Sequence, residues 1–326
     1  MTTTTAVYSP ATTGRWTTFV RRNAALFVVY GLLLVMFVAA SLLSERFLTQ
    51  RNIFNVLRQT AFVGTLALGQ TLVILTGGID LSVGSLVKLS LLVGAIVMNG
   101  HPENLWVGVA AVLALGAVVG LINGAITVQL RVAPFITTLG MYSILRGVSL
   151  AIASKPVGRA SPAMLAAYDA KLGPVPVWVI FFAVLFVVLV LVLRRTRFGR
   201  HIYAVGGSEQ VARLSGVRVS RVRYGVFVIC SMLAAVTGLM YLSRMGIGDP
   251  VVGDGLELES ITAVILGGTS LFGGRGTLIG TLGGVLLLTL TGNLLVIFNV
   301  NQWIQQLIEG LIIVGAVALY KQPGRK

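Results

Sequence analysis

The residues best suited to chemistry in this sequence lie between two apolar runs, in the segment TLVILTGGIDLSVGSLVKLS at 71–90. Gly77 and Gly78 weaken a helix and leave backbone carbonyls without partners, which hydrocarbon does not tolerate unless protein or water covers them. Asp80 strengthens the point, because an ionised carboxylate at the centre of a membrane costs about 2.5 to 3.5 kcal/mol. The segment therefore predicts an interruption that is buried or faces a cavity.

Two interpretations of this interruption fit the pattern. In the first, Asp80 or Ser82 caps the helix that follows by accepting hydrogen bonds from backbone N–H groups. In the second, which does not exclude the first, the interruption lines a solute path or its gate, as polar breaks between half-helices do in transporters. Lys88 lies about 12 Å further along a helix, so we expect it to snorkel or to meet Glu309 or another buried acid rather than Asp80.

The elements that must position these groups are those of a membrane protein. Of the 326 residues, 56% are hydrophobic and 11% are charged, whereas about a quarter of the residues in soluble domains are charged. The apolar runs predict an all-α fold of about ten transmembrane helices, with discontinuous helices near 77–82 and 267–276. The predicted spans lie near 24–43, 60–76, 82–98, 105–129, 133–153, 177–193, 223–244, 258–268, 277–298 and 303–320.

The charge distribution orients these spans. With the N-terminus inside, most of the 25 Lys and Arg residues fall on inner segments, which is the bias of cytoplasmic loops. We therefore expect a multi-pass protein with both termini in the cytoplasm. It has a leader at 1–23, a transmembrane domain at 24–320 with an inner loop at 194–222, and a tail at 321–326. This topology and contact with anionic membrane lipid account for the net charge of +15 without nucleic acid as a partner.

Two of the predicted spans carry glycine at every fourth position. Such rows let the backbones of neighbouring helices touch without side chains between them. We expect both rows to serve close packing inside the molecule rather than dimerisation. The rows are Gly116, Gly120 and Gly124, and Gly276, Gly280 and Gly284.

The inner loop contains the signals of a short helix. Ser208 is a favourable N-cap, and Gly216 stands where a C-terminal glycine belongs. Val211 and Leu214 lie three residues apart, on one face of this helix. A helix of about two turns is unstable alone in water. It must therefore dock, either on the protein's own inner face or on a partner subunit.

Motifs for nucleotide or metal chemistry are absent from the sequence. No Lys follows a Gly, so there is no G-x-x-x-x-G-K-[ST] loop, and there is no H-E-x-x-H. His101 and His201 fall on opposite sides of the predicted membrane, and the single Cys230 offers neither a disulfide nor a thiolate site. We therefore expect no enzyme, no metal and no bound cofactor. The energy source would be an ion gradient or a partner.

Four segments carry a family resemblance: GQTLVILTGGIDLSVGSL at 69–86, FGRHIYAVGGSEQVARLSGV at 198–217, GDPVVGDGLELESITAVILGGTSLFGGRGTLIGTLGG at 248–284 and WIQQLIEGLII at 303–313. They resemble the permease subunits of bacterial ATP-binding cassette (ABC) sugar importers of the ribose, xylose and galactose type, in the group that also holds branched-chain amino-acid permeases. The resemblance covers about 48–320. It departs from the family at Lys88, where such permeases usually carry an uncharged residue.

The resemblance implies an inner-membrane permease that pairs with a second copy or a homologue. An extracytoplasmic sugar-binding protein, met through the acidic outer loop at 249–259, delivers a monosaccharide or sugar-like solute, and a cytoplasmic ABC ATPase binds and hydrolyses the ATP. The implied translocation path or gate comprises Gly77, Gly78, Asp80, Ser82, Ser85, Thr269 and Ser270. The implied ATPase-coupling residues are Gly206, Gly207, Ser208, Glu209, Ala212, Leu214 and Gly216.

Two other functions stay open on the sequence alone. An ion-gradient-driven secondary transporter would use Asp80 as its proton or cation site, and interrupted helices suit it equally well. The scarcity of other buried acids counts against it, since Glu309 is the only further candidate. A membrane scaffold or receptor has no evident use for buried polar interruptions, because they are energetically unfavourable. The sequence does not identify the sugar.

Overall fold

The computed structural model describes residues 24–319, which form thirteen α-helices and one short antiparallel ribbon. The predicted all-α fold is confirmed, while the predicted leader 1–23 and tail 321–326 lie outside the described residues. The helices are α1 Ala24–Leu43, α2 Gln50–Leu75, α3 Ser82–Met98, α4 Leu105–Val128, α5 Pro134–Ile152, α6 Pro162–Asp169, α7 Val177–Arg195, α8 Arg197–Gly207, α9 Glu209–Leu214, α10 Val219–Met245, α11 Leu256–Leu266, α12 Leu278–Ile297 and α13 Gln302–Leu319. The strands are β1 Lys171–Leu172 and β2 Val175–Pro176.

Six helices within the described residues are long and apolar enough to cross a membrane: α1, α4, α5, α7, α10 and α12. They correspond to six of the ten predicted spans. The other four predicted spans are helical as well, but the structure does not confirm a count of ten crossing helices. One of them, α2, begins at Gln50 rather than near residue 60, because the Thr49 hydroxyl caps it by accepting from the Asn52 N–H.

The helix α10 lies at the centre of the molecule. In its most apolar stretch 67% of the residues are buried, compared with 11% in that of α1. It packs against α2, α3 and α4. Along α2 and α10 the contacts run in opposite order, since Gly69 meets Cys230 and Phe62 meets Tyr241. These two helices are therefore antiparallel.

The helix α3, unlike α2, runs parallel to α10. Ser90 on α3 meets Gly238 on α10, and Gly94 further along α3 meets Leu242, so α3 is parallel to α10. The interruption predicted near 77–82 is thus present, and the chain reverses its direction there. Both helices that flank the interruption lie against α10, which brings the turn 76–81 to one end of the bundle.

Both glycine rows pack inside the molecule, as expected, although Gly276 lies in the interruption before α12 and faces the Thr269 side chain rather than another helix. A Cβ at Gly120 would lie 2.6 Å from Val228 Cα, and one at Gly116 would lie 2.7 Å from Ala235 Cβ. The first row thus packs α4 directly against α10. In the second row a Cβ at Gly280 would overlap the backbone of Gly267, so α12 touches α11 with no side chain between them.

The span predicted near 258–268 is only half a crossing. The eleven residues of α11 cover about 16 Å at 1.5 Å per residue, against a hydrocarbon thickness of roughly 30 Å. Ahead of it, the non-helical segment 247–255 follows α3, with Gly248 against Leu92 and Gly253 against Gly84, which is about 12 Å along a helix. Segment and helix together match one crossing.

Gly120→Ala tests the close approach of α4 to α10. The added methyl group meets the Val228 backbone, which cannot rotate away, so we expect the free energy of unfolding to fall by about 1 to 3 kcal/mol. Gly140→Ala on α5 is the matched control, because a Cβ there meets nothing within 4 Å. Thermal unfolding in detergent measures both variants, and equal melting temperatures for the two would contradict the packing described here.

Candidate functional site

The interruption between α2 and α3 is organised by Asp80, whose side chain is fully buried. Its Oδ1 accepts hydrogen bonds from the Ser82 N–H at 2.9 Å and from the Ser82 hydroxyl at 2.6 Å. The N-cap position of α3 is Leu81, so Asp80 acts from one residue before it by accepting from the first helical N–H, and Ser82 is itself the first helical residue. Asp80 Oδ2 has no hydrogen-bond partner among the described residues.

Polar side chains from three other helices cover this turn. Asn123 Nδ2 on α4 donates to Ser82 Oγ at 3.0 Å, and Thr138 Oγ1 on α5 donates to the Ile79 carbonyl at 2.9 Å. On α2, the Gln70 amide is oriented to donate to the Asp80 carbonyl and to accept from the Asp80 N–H, each at 3.2 Å. These three polar residues within apolar helices were not identified from the sequence, although their polarity was the available signal.

The other residues predicted to line the solute path differ in their burial and hydrogen bonding. Gly77 is exposed and has a φ of +78°, which favours glycine, whereas Gly78 is buried between Val73 and Pro134. Ser85 is buried, and its hydroxyl has no partner among the described residues. The second interruption, 267–277, holds the buried pair Thr269 and Ser270, and Ser270 Oγ accepts from the Phe272 N–H at 3.2 Å.

Both interruptions meet the C-terminal end of α8 in one cluster of backbone contacts, which we call the glycine junction: residues 75–77, 206–207 and 272–276. The Gly274 N–H donates to the Leu75 carbonyl at 2.9 Å. A Cβ at Gly206 would overlap that same carbonyl, and one at Gly273 would lie 2.7 Å from the Gly77 nitrogen. Side chains are excluded from the contact, so these three segments touch through their backbones.

Tyr203 on α8 also contacts the glycine junction. Its hydroxyl donates to the Gly276 carbonyl at 2.9 Å, and burial raises the pKa of its phenol, which keeps the donor proton in place. Sequence reasoning missed Tyr203, Gly273 and Gly274. The signal for the glycines was a Gly-Gly pair in each of the three segments, at 77–78, 206–207 and 273–274.

The helix predicted in the inner loop is present as α9. The Ser208 hydroxyl accepts from the Val211 N–H at 3.3 Å, and Gly216 ends the turn with a φ of +80°. Ala212 is buried in the protein's own core, whereas Val211 and Leu214 are 61% and 83% exposed. The helix thus uses one face to stay on the protein and presents two large apolar side chains outward.

Glu209 fixes the orientation of α9. Its two carboxylate oxygens each accept from an arginine at 2.6 Å, Oε1 from Arg213 on α9 and Oε2 from Arg223 on α10. The preceding helix α8, Arg197–Gly207, was not predicted. It ends at Gly207 and is followed by α9 after the single residue Ser208, so α9 begins directly beside the glycine junction.

Lys88 pairs with an acid that sequence reasoning had placed elsewhere. Its side chain is 2% exposed, and its Nζ lies 2.6 Å from Asp254 Oδ1. Asp254 belongs to the segment 247–255, part of which packs against α3 while Val251 and Asp254 stay exposed; its predicted role as an acidic outer loop stays a prediction. Glu257, at the start of α11, is also buried, against Gly84. The side chain of Glu309, the other predicted partner, lies outside the described part of the structure.

Groups of three or more His, Cys, Asp or Glu side chains that could hold a metal ion do not occur among the described residues. The two interruptions, the junction and the Lys88 ion pair hold hydroxyl, amide, carboxylate and ammonium groups inside an apolar bundle. Such an arrangement suits passage or gating of a polar solute rather than bond chemistry.

Comparison with known proteins gives one family and close relatives. Residues 52–317 match the family described as branched-chain amino acid transport system / permease component. The ribose import permease protein RbsC of Escherichia coli (strain K12) is 42% identical over 292 residues, which cover 87% of this chain and 90% of that protein. RbsC of Bacillus subtilis (strain 168) is 39% identical over 295 residues, 88% of this chain and 90% of that protein.

The L-arabinose transport system permease protein AraH of Escherichia coli (strain K12) is 35% identical over 305 residues, 91% of this chain and 92% of that protein. No solved structure matches the chain. The family match covers most of the chain, and the relatives are permease subunits, which are not enzymes. This multi-pass membrane protein therefore belongs to the permease-component family of branched-chain amino acid transport systems.

Proposed function

We propose that this chain is the permease subunit of an ABC importer that moves a monosaccharide or sugar-like solute inward across a bacterial inner membrane. The names of its relatives, which import ribose and transport L-arabinose, support the class of solute. A separate cytoplasmic ATPase binds and hydrolyses the ATP, an extracytoplasmic binding protein delivers the solute, and a second permease copy or homologue completes the membrane part. Both termini are cytoplasmic.

The observation that carries the proposal is the outward apolar face of α9. A six-residue helix that exposes Val211 and Leu214 to water forgoes the free energy of burying them, about 1.5 to 3 kcal/mol for each side chain. A partner groove that covers these two residues would recover it. We assign that groove to the ATPase, and α9, followed by Arg218 and Arg221 on the predicted inner side, to the coupling helix.

The glycine junction supports a route from the ATPase to the solute path. A shift of α9 moves α8, and the end of α8 touches the turn 76–81 and the interruption 267–277 at once. In this conformation Gln70 and Asn123 cover Asp80 and Ser82 through hydrogen bonds. This turn therefore works as a closed gate, which opens when the junction moves. The alternative of an ion-coupled transporter gives Asp80 a role as ion site, whereas here Asp80 already caps α3.

The first prediction concerns the energy source. Proteoliposomes that contain this chain, its candidate ATPase and its binding protein should accumulate one sugar from a panel of radiolabelled pentoses and hexoses only when ATP is present inside with the ATPase. Omitting the ATP, or the ATPase, is the control. Accumulation without ATP under an imposed proton or sodium gradient would instead establish the secondary transporter, with Asp80 as the residue to mutate next.

The second prediction concerns α9. Replacing Val211 and Leu214 together by Asp removes the apolar face, so binding to the ATPase should weaken about tenfold or more for each residue, at about 1.4 kcal/mol per tenfold. Leu172→Asp is the matched control, because Leu172 is 71% exposed and lies on the β1–β2 ribbon. Co-purification and uptake measure the effect, and normal assembly of the double variant would refute the coupling assignment.

The third prediction concerns the junction. Gly206→Ala drives a methyl group into the Leu75 carbonyl, whereas Gly207→Ala next to it meets nothing within 4 Å. We expect Gly206→Ala to lower the rate of uptake at least tenfold while the ATPase still co-purifies, since α9 itself is unchanged. Gly207→Ala should transport normally. If the two variants transport equally well, the junction does not transmit the motion.

A further inference from the structure

A cavity of about 560 Å³ lies between α9, the start of α10 and the loop that joins α4 to α5. Its wall includes the last two residues of α4, the loop residues 131–133 and Pro134, the first residue of α5. Pro134 also packs against Gly78 in the turn 76–81. The cavity therefore adjoins both the short inner-loop helix and the interruption that contains Asp80.

The charged side chains of this cavity are mostly arginines. Four arginines and one glutamate line it, which gives a net charge of +3: Arg131, Arg213, Arg218, Arg223 and Glu209. The two oxygens of Glu209 are already engaged, one by Arg213 and one by Arg223. Arg131 and Arg218 have no ion pair or side-chain hydrogen bond among the described residues. Their unpaired charge in a concave site favours an anion.

Uncharged donors line the same cavity. Thr127 on α4 is 3% exposed, and its hydroxyl has no hydrogen-bond partner among the described residues. Two helices begin at the cavity, α5 and α10, and their N-cap residues Ala133 and Arg218 make no side-chain cap hydrogen bond. A helix N-terminus offers N–H groups and partial positive charge to an anion. An acceptor in the cavity would therefore also satisfy the buried Thr127 hydroxyl.

We propose that this cavity binds a phosphate group, carried either by a soluble cytoplasmic phosphate ester or by the headgroup of an anionic phospholipid. A phosphate ester presents several acceptor oxygens and, as a monoester, a charge of about −1.5 to −2 at pH 7. Guanidinium groups bind such oxygens in pairs. The volume lies within the range of small-molecule sites, about 300 to 1,000 Å³. The carbon part of the ligand would pack on the apolar wall, formed by Val128, Val132, Val217 and Val219.

A ligand in this cavity would connect α9 to the loop between α4 and α5, because Arg213 on α9 and Arg131 in the loop both line it. The same two helices cover the Asp80 turn, through Asn123 on α4 and Thr138 on α5. The ligand would thus hold α9 in its present position relative to this turn, so we expect it to slow uptake. This effect on uptake rests on the proposed function, whereas the binding of phosphate does not.

Calorimetric titration of the full chain in an uncharged detergent tests the binding. Glucose 6-phosphate should bind saturably, and glucose at the same ionic strength should not. The cavity variant, with Arg131→Gln and Arg218→Gln, should bind glucose 6-phosphate at least tenfold more weakly. Its matched control is the α8 variant, with Arg197→Gln and Arg200→Gln, which loses the same charge from exposed positions outside the cavity. The affinity of the α8 variant should change less than twofold.

Native mass spectrometry identifies the source of the phosphate. The chain is released from nanodiscs that contain phosphatidylcholine and phosphatidylglycerol. If the ligand is a lipid headgroup, phosphatidylglycerol should stay bound to the wild-type chain and the α8 variant but not to the cavity variant. If the ligand is a soluble ester, the three chains should retain the lipid equally, and only the titration with glucose 6-phosphate should separate them.

Two results would overturn the inference. The first is that neither glucose 6-phosphate nor phosphatidylglycerol distinguishes the cavity variant from the α8 variant. The second is that glucose binds as tightly as glucose 6-phosphate while phosphatidylglycerol is retained equally by all three chains, because the phosphate group would then not be recognised.

Uptake into proteoliposomes tests the consequence for transport. The ligand identified above, either glucose 6-phosphate enclosed at a fixed ATP concentration or phosphatidylglycerol in the bilayer, should lower uptake at least threefold for the wild-type complex and the α8 variant. The cavity variant, compared with its own rate without the ligand, should not respond. Equal inhibition of both variants would refute the hold on α9. Failure of the wild-type complex to accumulate sugar with ATP would refute the proposed function instead and leave the binding results standing.

Discussion

The architecture depends on the contact of three backbone segments at the glycine junction. The Leu75 carbonyl accepts from the Gly274 N–H, and Gly206 packs so closely on both that no side chain fits between them. Backbone groups at a helix end need partners when they are removed from water. Here the end of α2 finds its partner in the interruption before α12, and the end of α8 closes the contact. One small cluster thus holds the two interrupted regions and the inner loop together.

A second constraint shapes the middle of the bundle. The segment 247–255 is not helical, yet it runs beside α3 between other helices, where unpaired backbone groups are strongly unfavourable. Gly248 exchanges two hydrogen bonds with Val157, at 2.8 and 2.9 Å, and the Lys88–Asp254 ion pair fixes the segment further along. The half-helix α11 can therefore begin inside the bundle.

Local signals made much of this structure predictable. The interruption at Asp80, the cap at Ser208, the stop at Gly216 and the packing of the Gly116 row depend on residues close together in sequence or on a regular spacing. The helix α8 was missed because it contains Gly199, Gly206 and Gly207, and glycine disfavours helices. Contacts with distant parts of the chain stabilise α8 as a helix despite these glycines.

Long-range partners could not be read from the sequence. Lys88 and Asp254 are separated by 166 positions, and the order of the predicted spans gave only the side of the membrane for Asp254, not its partner. One cavity of about 370 Å³ is lined by Arg58 on α2, Arg244 on α10 and Asn293 on α12, which no local pattern brings together. The sequence thus predicted which segments are unusual, whereas the fold determined which of them are neighbours.

The backbone character of the junction has one more consequence. Its contacts join carbonyl and amide groups, which do not titrate in the physiological range, and the Tyr203 phenol beside them stays protonated. The backbone contacts at the junction are therefore insensitive to proton concentration and to ionic strength, unlike the Glu209–Arg223 ion pair that joins α9 to α10. Changes in acidity or salt would therefore act on the ion pairs of α9 before they act on the contact between the two interruptions and α8.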